Sequence, residues 1–139
     1  MFAARSMLLS AMLLIATPSA HADPKVDYLL HCSGCHMPDG TGLSSVVPTL
    51  HNIMGRLVAE PEGRSYIVRV PGASQAPIND AKLTEVLNWM LTEFSSDTLP
   101  KNFKPLTVKE VKRARSQLLA DPLKYRAELF PDLLTIPAP

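Results

Sequence analysis

The sequence predicts an all-α fold of short helices joined by long loops, ending in a helical C-terminal extension. Three observations carry it. Leu83, Val86, Leu87, Met90, Leu91 and Phe94 recur at three- and four-residue spacing, the period of an amphipathic helix. Thirteen prolines in 139 residues break the rest into short pieces. Strand patterning is scarce, amounting to a brief extended piece at residues 66–70.

Residues 1–22 read as a secretory signal peptide: Arg5 supplies a positive start, Met7 to Ala16 an apolar run, and Ala20-His21-Ala22 an A-x-A cleavage site. That run falls well short of the roughly 20 residues that span a bilayer, and no Cys follows it for lipid attachment. A soluble periplasmic protein with no membrane span, cut after Ala22, is expected. The remaining 117 residues suffice for one small domain. With Arg5 removed, 13 Lys and Arg face 13 Asp and Glu, so nothing implies a nucleic acid or an anionic membrane surface as partner.

The first mature helix spans residues 24–32, with Asp23 as N-cap, Pro24 at its first position and Val26, Leu29 and Leu30 on its apolar face. It runs into Cys32-Ser33-Gly34-Cys35-His36. C-x-x-C-H is the spacing that attaches a haem: two thiols meet the porphyrin vinyl groups as thioethers, and the histidine binds iron through a ring nitrogen. A structural zinc site needs four ligands, and the chain has only these two Cys, with His31 and His51 at no paired spacing. A thioredoxin-like pair lacks its βαβ setting, and a plain disulfide leaves His36 unexplained. One covalent haem c is the expected cofactor, its apolar face compensating for a thin protein core.

Met37-Pro38-Asp39-Gly40-Thr41-Gly42 then signals a loop. The following run P-x-L-H-x-x-x-G-R, present as Pro48, Leu50, His51, Gly55 and Arg56, resembles the stretch after the haem motif in class I, mitochondrial-type cytochromes c. The resemblance covers about residues 24–95. It implies that the Pro48 carbonyl orients His36, that Leu50 packs on the haem and that Arg56 lies near a propionate. It also makes His51 a non-ligand, although a free histidine beside a haem is a candidate axial ligand.

Residues 57–80 read as loop, rich in Pro and Gly, with Asp80 capping the strong helix of about residues 81–94. The resemblance implies that this helix crosses the first, with Trp89 at the contact against Leu29 or Leu30. It also implies a methionine ligand in the loop before that helix. None is present: beyond the signal only Met37, Met54 and Met90 remain, and residues 55–89 hold neither Met nor His. The distal position is left to Met54 or Met90, to Gln75, Lys82, Tyr66 or His51, or to water, and axial ligation governs both potential and access by small molecules.

Residues 97–139 lie beyond the resembling core, giving a division into 1–22, 23–96 and 97–139. Thr107-Val108-Lys109-Glu110 has the capping-box pattern opening a helix to about Leu119, and Asp121-Pro122 starts another that Pro131 ends. Lys109, Lys112, Arg113 and Arg115 form a solvated face or, in the sharper reading, a docking face for an acidic redox partner. The expected function is one-electron transfer in the periplasm by a non-enzymatic carrier. A periplasmic dehydrogenase would be donor and another cytochrome or a terminal oxidase acceptor. The alternatives are a haem-based ligand-binding or sensing protein and a haem subunit of a larger redox enzyme.

Overall fold

The computed structural model describes residues 23–43 and 47–134; the predicted signal peptide and the Pro-rich C-terminus lie outside the described residues. Eight α-helices run through them: α1 Pro24–His31, α2 Ser33–His36, α3 Ile53–Leu57, α4 Pro61–Arg69, α5 Pro71–Ser74, α6 Asp80–Ser95, α7 Val108–Arg115 and α8 Pro122–Leu129. Among the described residues there is no strand, only an isolated bridge between Leu43 and Val47. The fold is all-α, as the periodicity and the prolines predict.

Helix α1 starts as expected, the Asp23 side chain accepting from the Lys25 amide at 2.9 Å, but it turns a different face inward. Val26, Leu29 and Leu30 are exposed, Leu30 by 70 %, while Asp27 and Tyr28 are buried. The reason is aromatic packing against α6: the Tyr28 ring lies 5.2 Å from both Trp89 and Phe94. Trp89 therefore meets Tyr28 at the crossing. Lys82 of α6 reaches Asp27 at 3.4 Å and supplies the charge a buried carboxylate requires.

Helix α6 buries the predicted stripe, Leu83, Val86, Leu87, Met90, Leu91 and Phe94. Its cap is Asn79, whose side chain accepts from the Lys82 amide at 2.9 Å, so Asp80 is the first helical residue and not the cap. The region read as loop is helical. Pro61 and Pro71 each open a helix at a position where no amide donor is needed, and the supposed extended piece is the end of α4. Tyr66, Ile67 and Val68 suit a strand by residue type, but on α4 they are buried against its neighbours.

Leu106, Val111, Ala114 and Leu119 join the buried cluster that holds Leu83 and Leu91, so the extension packs into the core. The capping box forms as predicted, although α7 ends at Arg115 and not at Leu119. Asp121 caps α8 and Pro122 opens it. Two arginines of α4 hold the extension: Arg64 bonds to the Lys104 and Pro105 carbonyls and to Glu110, and Arg69 donates to the Gln117 carbonyl at 2.7 Å.

Of the basic cluster, Lys109, Lys112 and Arg113 are exposed. Arg115 leaves the solvated face. Its guanidinium donates to the carbonyls of Ser74, Ala76 and Ile78 and to the Asp80 carboxylate, tying α7 to the stretch before α6.

Candidate haem site

A cavity of about 460 Å³ opens between these helices, with a wall that is mostly apolar. Cys32, Cys35 and His36 line one part of it, together with Pro48 and Leu50. Tyr66, Ile67, Val70, Gly72 and Ala73 of the α4–α5 region line another, and Leu83, Val86, Leu87 and Met90 of α6 a third.

Local structure delivers the motif to this wall. The Tyr28 hydroxyl donates to the Met37 carbonyl at 2.5 Å, fixing the chain where it leaves His36. Gly42 donates to the His36 carbonyl at 3.1 Å, and the Leu50 amide to the Gly40 carbonyl at 2.8 Å, which folds the post-motif loop back and brings Pro48 and Leu50 to the cavity. That return needs positive φ at Gly40 and Gly42; a Cβ on Gly42 would also stand 2.5 Å from the Val47 carbonyl oxygen.

Cys32 is half-buried and Cys35 exposed, both as free thiols. Burial, then the charges of Asp27 and Cys35, pushes the Cys32 thiol up to about 11, so it stays protonated at neutral pH. Burial lowers the pKa of His36, against the pull of the Pro48 carbonyl. The buried Nδ1 of His36 has no hydrogen-bond partner among the described residues. A neutral imidazole is the form that binds a metal. Tyr28 is pushed up to about 12 by burial, then by Cys32 and Asp39.

Arg56 is exposed and lies outside the cavity wall, because Ile53, Met54 and Leu57 take the inward face of α3. Met54 and Met90 are both buried and both line the cavity. Among the other distal candidates only Tyr66 lines it. His51 is engaged elsewhere, its Nε2 2.6 Å from the Asp39 carbonyl oxygen and its ring edge-on to Phe94. Lys82 pairs with Asp27, and Gln75 is exposed. Sequence reasoning missed two contributors to the wall. One is His31, which precedes the motif; the other is the segment Ala120 to Leu123 with Arg126, whose distance along the chain left no local signal.

The residues fit a haem. Two free thiols and a histidine of lowered pKa share one wall, that wall is apolar enough for a porphyrin face, and the buried imidazole Nδ1 has no hydrogen-bond partner among the described residues. Helical wall and C-x-x-C-H rim together are what a covalently held haem of the c type requires. No protein-family model matches the chain. Its relatives include two proteins called cytochrome c-552 from Thermus thermophilus. The first is 29 % identical over 130 residues, covering 81 % of this chain and 87 % of the relative. The second is 29 % identical over 106 residues, covering 63 % and 81 %. The chain is thus similar to c-type cytochromes.

Proposed function

We propose that this protein is an exported electron carrier that holds one covalent haem and passes single electrons between periplasmic redox partners. Cys32 and Cys35 hold the haem, His36 ligates the iron, Pro48 orients His36 and Leu50 packs on the porphyrin. The observation that carries the reading is the meeting of all five residues on the wall of one apolar cavity. When bound, the haem supplies a one-electron couple, while the chain orients it, excludes water and sets its electrostatics. A periplasmic dehydrogenase fits as donor and another cytochrome or a terminal oxidase as acceptor. Among the described residues no helix is long and apolar enough to cross a membrane.

A second reading, small-ligand binding at an open distal face, draws on a specific feature. Val70, Gly72 and Ala73 line the cavity with no iron-ligating side chain, and α5 is held in place by Arg115. The test is the absorption spectrum of purified holoprotein, oxidised and reduced, before and after carbon monoxide. A low-spin spectrum indifferent to the gas, with the near-infrared band of thioether-bound iron, supports electron transfer with Met54 or Met90 on the iron. A high-spin spectrum that shifts at once with the gas overturns it in favour of ligand binding.

A further inference from the structure

A guanidinium on the wall of an apolar cavity draws the anionic groups of whatever enters, because charges attract strongly where water is excluded. Arg126, on α8, is 7 % exposed and lines the cavity. Among the described residues it is the one lysine or arginine that does so. The surrounding structure holds it firmly. Tyr125 stacks on Tyr66 with ring centroids 6.2 Å apart and planes 5° from parallel, and the Arg69 guanidinium lies 5.1 Å over the Tyr125 ring. The Leu119 amide donates to the Arg69 carbonyl at 3.1 Å just before the segment enters the cavity wall. The N-terminal half of α8 is thus clamped to α4, with its arginine against the cavity and its charge felt by Tyr66.

A haem entering this cavity brings two propionate carboxylates, and the wall is otherwise poor in cationic groups. Arg56, the position implied by family resemblance, is exposed on the outer face of α3. We propose that Arg126 is the counter-ion of a haem propionate, which makes the C-terminal extension part of the cofactor site. This rests on the reading that haem c occupies the cavity. An arginine suits the role because its fork can meet both carboxylate oxygens and never deprotonates at working pH.

The experiment compares the reduction potentials of wild-type, R126Q, R126K and R56Q holoproteins by spectroelectrochemistry at one pH and ionic strength. R126Q is expected to shift the potential negative, since losing a nearby positive charge favours the ferric form. R126K should recover most of the shift, and R56Q should move the potential less than R126Q does. A potential unchanged in R126Q, or one shifted more by R56Q, overturns the proposal. So does a fall in azide affinity of ferric R126Q at unchanged potential, which would place the anion on the iron instead. If R126Q yields no holoprotein, wild-type protein carrying ¹³C-carboxyl propionates gives the answer by redox-difference infrared spectroscopy. An ionised carboxylate band at neutral pH supports the pairing, and a protonated carboxyl band overturns it. A pyridine haemochrome spectrum of the wild type reports separately on the underlying reading: without haem c that reading falls, whereas haem-loaded protein with an unchanged R126Q potential removes only the Arg126 assignment.

Discussion

Replacing Arg115 with alanine should cost far more stability than replacing Arg113, two residues earlier on the same helix. Arg113 is exposed. Arg115 donates from Nε to the Ser74 carbonyl at 2.8 Å and from Nη1 to the Ile78 carbonyl at 2.7 Å, with Asp80 3.0 Å away and the Ala76 carbonyl also in its grasp. A hydrogen bond to a charged group contributes about 1.5–3 kcal/mol when sheltered. The loop carbonyls regain water when the guanidinium leaves, and the Arg115 and Asp80 side chains are 18 % and 31 % exposed, so the ion pair is partly screened. The expected loss for Arg115→Ala is therefore about 2–4 kcal/mol, below the sum over its bonds. Arg113→Ala should stay within about 0.5 kcal/mol of wild type. Urea unfolding of the two holoproteins, followed by tryptophan fluorescence and far-ultraviolet circular dichroism, reads the difference as a shift in midpoint at constant slope. Equal midpoints for the two variants would refute the reasoning and return Arg115 to the solvated face.

Three further outcomes follow from the same geometry. Gly63→Ala drives a Cβ into the Leu57 carbonyl, so α3 and α4 must separate; a loss of about 1–3 kcal/mol in urea unfolding is expected, and an unchanged midpoint would sink the close-approach argument. Glu110 is pushed up by burial, but the Thr107 amide and hydroxyl and Arg64 together bring it below the usual carboxylate value. Its contribution is thus fully present above the unfolded pKa and lost as pH falls through the lower folded one; Glu110→Gln should flatten the acid limb of a stability profile between about pH 5 and pH 3, and an unaltered limb would contradict the linkage. Met54→Ala and Met90→Ala each open a hole in the core and should cost about 2–5 kcal/mol. If either methionine ligates the iron, only that variant loses the thioether signature and gains carbon monoxide binding; parallel spectra in both variants would exclude the pair as ligands.

Much of the fold was legible where the signal was local. The α6 stripe, the Pro24 and Pro122 helix starts, the Asp121 cap and the capping box of α7 each depend on residues within a turn of one another, and the structure shows them all. The 57–80 stretch was misread because proline and glycine mark loops and helix starts alike, and only packing against α3 and α7 separates the two. The inward face of α1 was misread for a similar reason. Its aliphatic residues suit a core, yet the aromatic partners on α6 select Tyr28.

The chain alone pointed to covalent haem chemistry, because two thiols and a histidine at C-x-x-C-H spacing are a short, local signal. It also determined the all-α class, since helical periodicity and proline punctuation act over a few residues. What closes the cavity was decided only in three dimensions. Arg126 reaches the wall and Arg115 grips the stretch before α6 through contacts between segments far apart in sequence, and such contacts exist only once the extension has packed against α4 and α6.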